Sequence, residues 1–186
     1  MIDKRDRAAV ALLYLSSMRI TAFVSLPVRC VDIDNMSVYQ LTSEGVKTKN
    51  SKSAVIILLP IDELIAIVRD WDYLVRKELG INALWYPKMT TDGLSFGKTN
   101  GDTEASRKSF RRGLSKLCNL TGVEYKSSHK LRKGHGVYAV KHSNNYEEFQ
   151  AYSQNMGHED PGTTFKYYSK LSNDDVRRII LQEKTS

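Results

Sequence analysis

The sequence predicts a mostly helical α+β domain with one small antiparallel sheet. Segments with apolar residues at helical spacing occupy most of the 186-residue chain. Three short segments with strand-like apolar patterns lie together near the N-terminal third, separated by polar turns. The apolar fraction of 41% and the charged fraction of 26% are ordinary for a globular protein, so disorder is not expected. The length predicts a single domain over residues 1–186.

The first predicted helix, Arg5–Met18, is so rich in Ala and Leu that a buried position is expected. Strand patterns follow at Val28–Asp34, Ser37–Leu41 and Ala54–Leu59. Residues 42–53 are polar and contain glycine and several lysines, which is typical of an exposed turn. Together these segments predict a sheet of about three antiparallel strands with a lysine-bearing hairpin at its tip.

The next helix begins near Pro60. Its predicted apolar face consists of Leu64, Ile65, Val68, Trp71, Leu74 and Val75. Residues 88–103 hold three glycines among polar side chains and predict a long flexible insert. A basic helix is then expected at Glu104–Asn119, with Phe110 and two leucines facing the core.

Four further helical segments are predicted in the C-terminal part. One begins at Ser127 or Ser128 and another covers Tyr146–Met156, where Gly157 occupies the usual position for ending a helix. Asp160 and Pro161 suit the start of a short helix, and Asn173 or Asp174 the start of the last one.

The net charge of +7 and the pI of about 9.3 indicate an anionic partner, either nucleic acid or an acidic membrane surface. The excess is concentrated between Ala105 and His142, where ten Lys and Arg residues accompany one acidic residue. A membrane surface is the weaker alternative, because the basic residues flank phosphate-type motifs and not the apolar face of an amphipathic helix. A membrane span is not expected, because no apolar run approaches the roughly 20 residues that it requires. The residues predicted to bind DNA are Lys47, Lys52, Arg107, Lys108, Arg111, Arg112, Lys130 and Lys133.

Neither a metal nor another cofactor is expected. Cys30 and Cys118 lie far apart and form no CxxC pair, so reduced thiols are the simpler interpretation. The chain has four histidines, but no Cys or carboxylate lies at ligand spacing from them.

The segment Ser127–Gly136 is a candidate anion site. A serine N-cap leaves free N–H groups at a helix start, and these attract anions. His129 and Arg132 lie three residues apart and therefore share one face of the first turns. A basic, solvated helix start is the alternative that this stretch alone does not exclude.

Five short segments occur in a characteristic order. They are Ser-Ser-Met-Arg19-Ile, Thr48-Lys49-Asn, His129-Lys-Leu-Arg132, Met156-Gly-His158 and Thr163-Thr-Phe-Lys-Tyr167. This order resembles the catalytic domain of the tyrosine recombinases, the phage integrase family, from about Arg5 to Leu171. The resemblance implies that family's catalytic-domain fold and site-specific DNA cleavage and rejoining through a 3′-phosphotyrosine intermediate. It implies a catalytic set of Arg19, Lys49, His129, Arg132, His158 and Tyr167.

The residue types suit this chemistry. Tyr167 would attack the phosphorus, and the two arginines would bind non-bridging oxygens with planar forks. His129 and His158 would donate hydrogen bonds to the phosphate, and His129 is also a candidate acceptor for the tyrosine proton. Lys49 would protonate the leaving 5′-oxygen.

Three departures from the family pattern are present. The acidic residue usually found three positions after the first arginine is Ala22, which leaves the orientation of Arg19 open. The histidine common after the second arginine is Lys133. We expect the chain to lack the family's separate N-terminal DNA-binding domain and to be part of a longer integrase.

Several alternatives stay open at this point. Tyr168 is the rival nucleophile, and Lys47 and Lys52 are rivals of Lys49 as general acid. A type IB topoisomerase would use the same chemistry. A DNA-binding module without catalytic activity would use the basic surface alone.

The implied partner is double-stranded DNA. The resemblance also implies self-association into a tetramer on DNA and a monomer without it. A bacterial or phage-encoded protein acting on the nucleoid in the cytoplasm is expected. The target site and the direction of recombination are not encoded in any motif.

Overall fold

The computed structural model describes residues 1–97, 101–158, 162, 177, 180 and 181. In these residues it contains six α-helices and one three-stranded sheet, so the predicted mostly helical α+β class is confirmed. The chain divides into two compact units, Met1–His135 and Gly136–Ser186. Helix α5, Ser128–His142, contributes residues to both units.

Helix α1, Ile2–Ser16, is the centre of the first unit. Ala8, Leu12 and Leu15 are fully buried, and α1 packs against both α3 and α4. The predicted burial of this helix is therefore confirmed, although it begins three residues earlier than Arg5.

Helix α3, Asp62–Leu79, packs its apolar face on α1. Trp71 and Val75 of the predicted face are fully buried. The indole N–H of Trp71 donates to the carbonyl of Trp85 at 3.0 Å, so this large side chain keeps its polar group satisfied.

The sheet has the order β1–β2–β3, with β1 at Val31–Asp32, β2 at Ser37–Gln40 and β3 at Ala54–Ile57. Both pairings are antiparallel, as predicted. The first strand is shorter than Val28–Asp34 because Val28–Cys30 form a 3₁₀ turn. The N–H groups of Val28 and Arg29 donate to the carbonyls of residues 83 and 81, and that of Cys30 donates to Pro27.

Helix α4, Thr103–Thr121, also packs on α1 and on the short helix α2, Ile20–Val24. Asp102 caps α4 by accepting hydrogen bonds from the N–H groups of Glu104 and Ala105. The apolar side of α4 includes Phe110, which contacts the rings of Phe23 and Tyr86.

Residues 88–97, which form most of the described part of the predicted insert, make a hydrogen-bonded turn. Met89 and Phe96 pair in an antiparallel bridge, and Thr90 exchanges bonds with Ser95. The Phe96 ring lies 6.0 Å from that of Trp71, centroid to centroid. Flexibility of the insert as a whole stays a prediction.

The second unit contains helix α6, Tyr146–Asn155, capped by Asn145. Its boundaries agree with the predicted helix to within one residue. The last two predicted helices lie mostly outside the described residues. Within the described part of the chain, none of the helices has the length and apolar content required to cross a bilayer.

Candidate active site

Arg132 is a buried cation, with only 7% of its surface exposed. Helix α5 brings it to the C-terminal end of α1, where its Nη1 donates to both oxygens of Ser17. The distance to the Ser17 hydroxyl oxygen is 3.0 Å. A helix C-terminus carries partial negative charge, so this location stabilises the guanidinium.

Arg19 lies two residues beyond Ser17 in the chain. It occupies the N-cap of α2 with extended backbone, and its side chain is exposed. The turn Ser17–Arg19 therefore carries one candidate arginine and contacts the other.

The lysine-bearing hairpin contacts α2, the short helix that follows Arg19. The backbone N–H of Lys47 donates to the hydroxyl of Ser25, the C-cap of α2, at 2.8 Å. Because α2 has five residues, its ends are only about 7–8 Å apart along the helix axis. The hairpin backbone thus contacts the C-terminal end of α2. Arg19 lies at the N-terminal end of the same helix.

The three candidate lysines differ in their surroundings. Lys47 Nζ donates to Thr103 Oγ1 at 2.6 Å, at the start of α4. Lys49 is exposed in a 3₁₀ turn in which Asn50 has left-handed backbone. Lys52 is exposed as well and follows the same turn.

His129 lies in the first turn of α5 and is exposed, in contrast to buried Arg132 three residues later. The predicted start of α5 at Ser127 or Ser128 agrees with the observed start at Ser128. The first turns of α5 thus carry one solvent-accessible imidazole and one anchored guanidinium.

His158 belongs to the second unit, and its backbone is held by the end of α6. Gly157 has a φ of 71°, and its N–H donates to Gln154, while the N–H of His158 donates to Ser153. This pair of bonds is the Schellman arrangement, which a glycine in left-handed backbone permits. The prediction that Gly157 ends the helix is confirmed.

The remaining predicted residues of the C-terminal motif lie outside the described residues. They include both candidate nucleophiles, Tyr167 and Tyr168, and the Thr-Thr pair before them.

The predicted DNA-binding residues on α4 fall into two groups. Lys108, Arg111 and Arg112 are exposed and make no ion pair among the described residues. Their spacing of three and four places them on one side of the helix. Arg107, by contrast, pairs with Glu104 at 3.0 Å. Lys130 and Lys133, on α5, are also exposed.

Sequence reasoning missed two residues beside Arg132. Ser17 was only part of a motif, and nothing indicated its contact with the guanidinium. His135 is fully buried, and its Nδ1 lies 2.8 Å from the carbonyl oxygen of Tyr14, so it donates there. Burial, together with the charge of Arg132, lowers the pKa of His135 to about 4. Its position one turn after Arg132 was the available signal.

No metal centre is evident in the described ranges. Among residues 1–97, 101–158 and the four later positions, no three His, Cys, Asp or Glu side chains could jointly hold an ion. Both cysteines are free and buried.

Several solved structures have a fold similar to that of this chain. The crystal structure of XerA recombinase aligns with a TM-score of 0.65 at 17% identity, covering 99% of this chain and 58% of that one. The post-cleavage complex of XerH site-specific recombinase gives 0.61 at 18% identity, covering 97% and 46%. The Tn1549 transposon integrase in complex with circular intermediate DNA gives 0.54 at 14% identity, covering 95% and 59%.

These similarities show a shared fold, and the chain spans less than two thirds of each of these proteins. No curated protein sequence matches the chain. The family model for the phage integrase family matches residues 1–174. Because that match covers most of the chain, the chain belongs to the phage integrase family.

Proposed function

We propose that this chain is the catalytic domain of a tyrosine-type site-specific recombinase, which cleaves and rejoins double-stranded DNA. The observation that supports it most is the buried guanidinium of Arg132, bonded to the turn that leads into Arg19. In the proposal, Arg19 and Arg132 act together as the cation cradle that a pentavalent phosphate requires. Family membership supports the same reaction.

In the proposed reaction, the phenolic oxygen of Tyr167 bonds to phosphorus as the bond from phosphorus to the 5′-oxygen breaks. Lys49 gives a proton to that leaving oxygen, and His129 accepts the tyrosine proton. Arg19, Arg132 and His158 stabilise the charge on the non-bridging oxygens. The 3′-phosphotyrosine product conserves the phosphodiester energy, so another strand's 5′-hydroxyl can reverse the step.

The proposed partner is double-stranded DNA of a bacterial or phage genome. The protein is proposed to bind this DNA in the cytoplasm. The exposed basic residues of α4 and α5 support it, because unpaired lysines and arginines are what phosphate contacts require. The XerH and Tn1549 structures are themselves DNA complexes. Recombination requires paired sites, so we further propose a tetramer on DNA and a monomer without it.

The proposal is tested with a nicked suicide substrate that carries the cognate site, followed by denaturing electrophoresis. Wild type should form a covalent adduct, and Tyr167→Phe should form none, because it lacks the only oxygen that can attack. Tyr168→Phe is the matched control and should form the adduct, because the Thr-Thr-x-x-Tyr spacing assigns the attack to Tyr167.

The outcomes separate the alternatives. An adduct lost in Tyr168→Phe and kept in Tyr167→Phe would move the nucleophile by one residue. If wild type binds the cognate DNA but forms no adduct, the DNA-binding module without catalytic activity replaces the proposal. Relaxation of supercoiled plasmid without a cognate site would favour topoisomerase activity.

A further inference from the structure

The hydroxyl of Ser25 joins the end of α2 to the lysine-bearing hairpin between β2 and β3. It donates to the carbonyls of Thr21 and Ala22 in α2, at 3.0 Å each. Its oxygen accepts from the backbone N–H of Lys47 in the hairpin at 2.8 Å. Only 8% of the surface of Ser25 is exposed, so this bond is largely shielded from water. One side-chain oxygen therefore bonds to both elements.

The chemistry of the partners fixes the direction of these hydrogen bonds. A carbonyl can only accept and a backbone N–H can only donate, so the single hydroxyl hydrogen is directed to α2 and a lone pair to Lys47. A hydroxyl that donates is also a better acceptor, because hydrogen bonds in a chain polarise one another. Alanine at position 25 would supply neither bond. The contact with the hairpin is thus a property of the serine side chain.

Other contacts hold the same part of the hairpin. Val46 is buried, and the Lys47 amine donates to Thr103 Oγ1 at 2.6 Å. The bond to Ser25 differs from these side-chain contacts, because it acts on the hairpin backbone. It does so two residues before Lys49, which is exposed in the turn at the tip. The candidate proton donor therefore follows directly on an anchored segment of backbone.

We propose that Ser25 is a positioning residue whose hydroxyl anchors the hairpin on α2, so that Lys49 can protonate the leaving 5′-oxygen. The inference rests on the proposed function, because that function assigns the proton transfer to Lys49. A general acid must lie within hydrogen-bond reach of the atom that it protonates. The anchor suits this requirement, because α2 is a five-residue helix that begins directly after Arg19, the arginine assigned to the phosphate.

Removal of the hydroxyl should displace the hairpin backbone. In Ser25→Ala the Lys47 N–H would face a methyl group, and a shielded N–H without a partner is unfavourable. The hairpin can regain a hydrogen bond to water by moving away from α2, which moves Lys49 as well. We expect cleavage of an ordinary suicide substrate in single turnover to slow by about fivefold, the loss typical of one hydrogen bond.

A substrate with sulfur in place of the scissile 5′-oxygen separates positioning from stability. A thiolate leaves without a proton, because thiols are far more acidic than alcohols. Ser25→Ala should therefore cleave this substrate within about twofold of the wild-type rate, as expected for loss of assistance from a general acid. In a Lys49→Ala background, Ser25→Ala should cause no further loss on ordinary DNA, because Ser25 acts through that lysine.

Ser143→Ala is the matched control. The hydroxyl of Ser143 donates to the Ala139 carbonyl at 2.7 Å, which is the same kind of bond at the end of a helix, here α5. The substitution removes the same group from a residue outside the hairpin and α2. This variant should cleave both substrates at the wild-type rate.

The results distinguish the possible failures. If Ser25→Ala is equally slow on both substrates, Ser25 acts through stability and the inference is wrong. A wild-type rate of Ser25→Ala on ordinary DNA, or a further loss in the Lys49→Ala background, would also overturn it. A wild-type chain that forms no Tyr167-dependent adduct would overturn the proposed function, and the inference with it.

Discussion

The backbone of Gly113 in α4 lies directly against the carboxylate of Asp6 in α1. A Cβ atom at position 113 would come within 2.1 Å of Asp6 Oδ2. Asp6 is itself held in place, because it pairs with Arg5 at 2.8 Å and accepts from the Tyr86 hydroxyl at 2.8 Å. The absence of a side chain at Gly113 thus lets α4 approach a buried, charged group on α1.

Gly113→Ala should destabilise the fold, although the same change in an exposed helix would stabilise it by about 1 kcal/mol. We expect a loss of about 2–4 kcal/mol in the free energy of unfolding, because the new methyl group displaces a buried carboxylate from its partners. Urea denaturation followed by circular dichroism measures this loss.

Asn119→Ala provides the control for that experiment. Asn119 is exposed on the same helix, so its replacement should change the free energy of unfolding by less than about 0.5 kcal/mol. If Gly113→Ala proved as stable as wild type, the approach of α4 to Asp6 would be looser than described.

The stability of the chain should fall as the pH drops from 7 towards 4. Burial lowers the pKa of His135 to about 4 in the folded state, against about 6.5 in an unfolded chain. Between these values the unfolded state binds more protons, so the stability that neutral His135 provides is complete above pH 6.5 and lost on acidification. The full contribution is on the order of 3 kcal/mol.

Denaturation curves of wild type and His135→Asn at several pH values test this dependence. Asparagine can keep a donor near the Tyr14 carbonyl but does not titrate, so this variant should be less stable at pH 7 and less sensitive to pH. His142→Asn is the control, because His142 is exposed and bonds only to a carbonyl on its own helix. An equal pH dependence in wild type and His135→Asn would contradict the assignment.

The predictable parts of the fold were those with local signals. The apolar content of α1, the strand pattern of Ser37–Leu41 and the helix-ending Gly157 each depend on neighbouring residues, and each agreed with the structure. The prediction of a strand at Val28–Cys30 was wrong, because these residues form a 3₁₀ turn in which two of the three N–H groups bond to distant carbonyls.

The contacts of Arg132 and His135 were not predicted from the sequence. The contact of Arg132 with Ser17 joins residues 115 positions apart, and that of His135 with Tyr14 joins residues 121 apart. A serine before the first arginine carries no local sign of the left-handed backbone that Ser17 adopts. Likewise, Gly113 within a basic helix gives no hint that a carboxylate lies opposite it.

Binding of DNA should depend on the exposed basic row of α4. We expect the combined replacement of Lys108, Arg111 and Arg112 by Gln to weaken binding and to reduce the slope of log K against log salt. The reduction should be as much as about 2.7, at about 0.9 per phosphate contact. Fluorescence anisotropy with a labelled duplex over a salt series measures it.

The ion-paired basic residues of α4 supply the control for this series. Arg107 pairs with Glu104, and Lys116 pairs with Asp3 at 2.8 Å. Replacing both by Gln removes two charges from the same helix but should change the slope less. Equal slopes for the triple variant and wild type would exclude this surface from the DNA interface.

The general acid can be identified among the three hairpin lysines by changing the leaving group. Lys49 is exposed at the tip, whereas the Lys47 amine is engaged with Thr103 at the start of α4. We therefore expect Lys49→Ala to slow cleavage of ordinary DNA by about 100-fold or more, the usual loss for an absent general acid.

A substrate with sulfur in place of the scissile 5′-oxygen should restore the rate of Lys49→Ala. A thiol has a pKa near 8.5, so the thiolate departs without the proton that an alkoxide needs. The same substrate should not rescue Arg132→Lys, because that variant loses contacts to the non-bridging oxygens, which the sulfur does not replace. Lys47→Ala and Lys52→Ala complete the comparison. Rescue confined to either of them would move the general acid to that lysine, and rescue of none would remove the hairpin from the proton transfer.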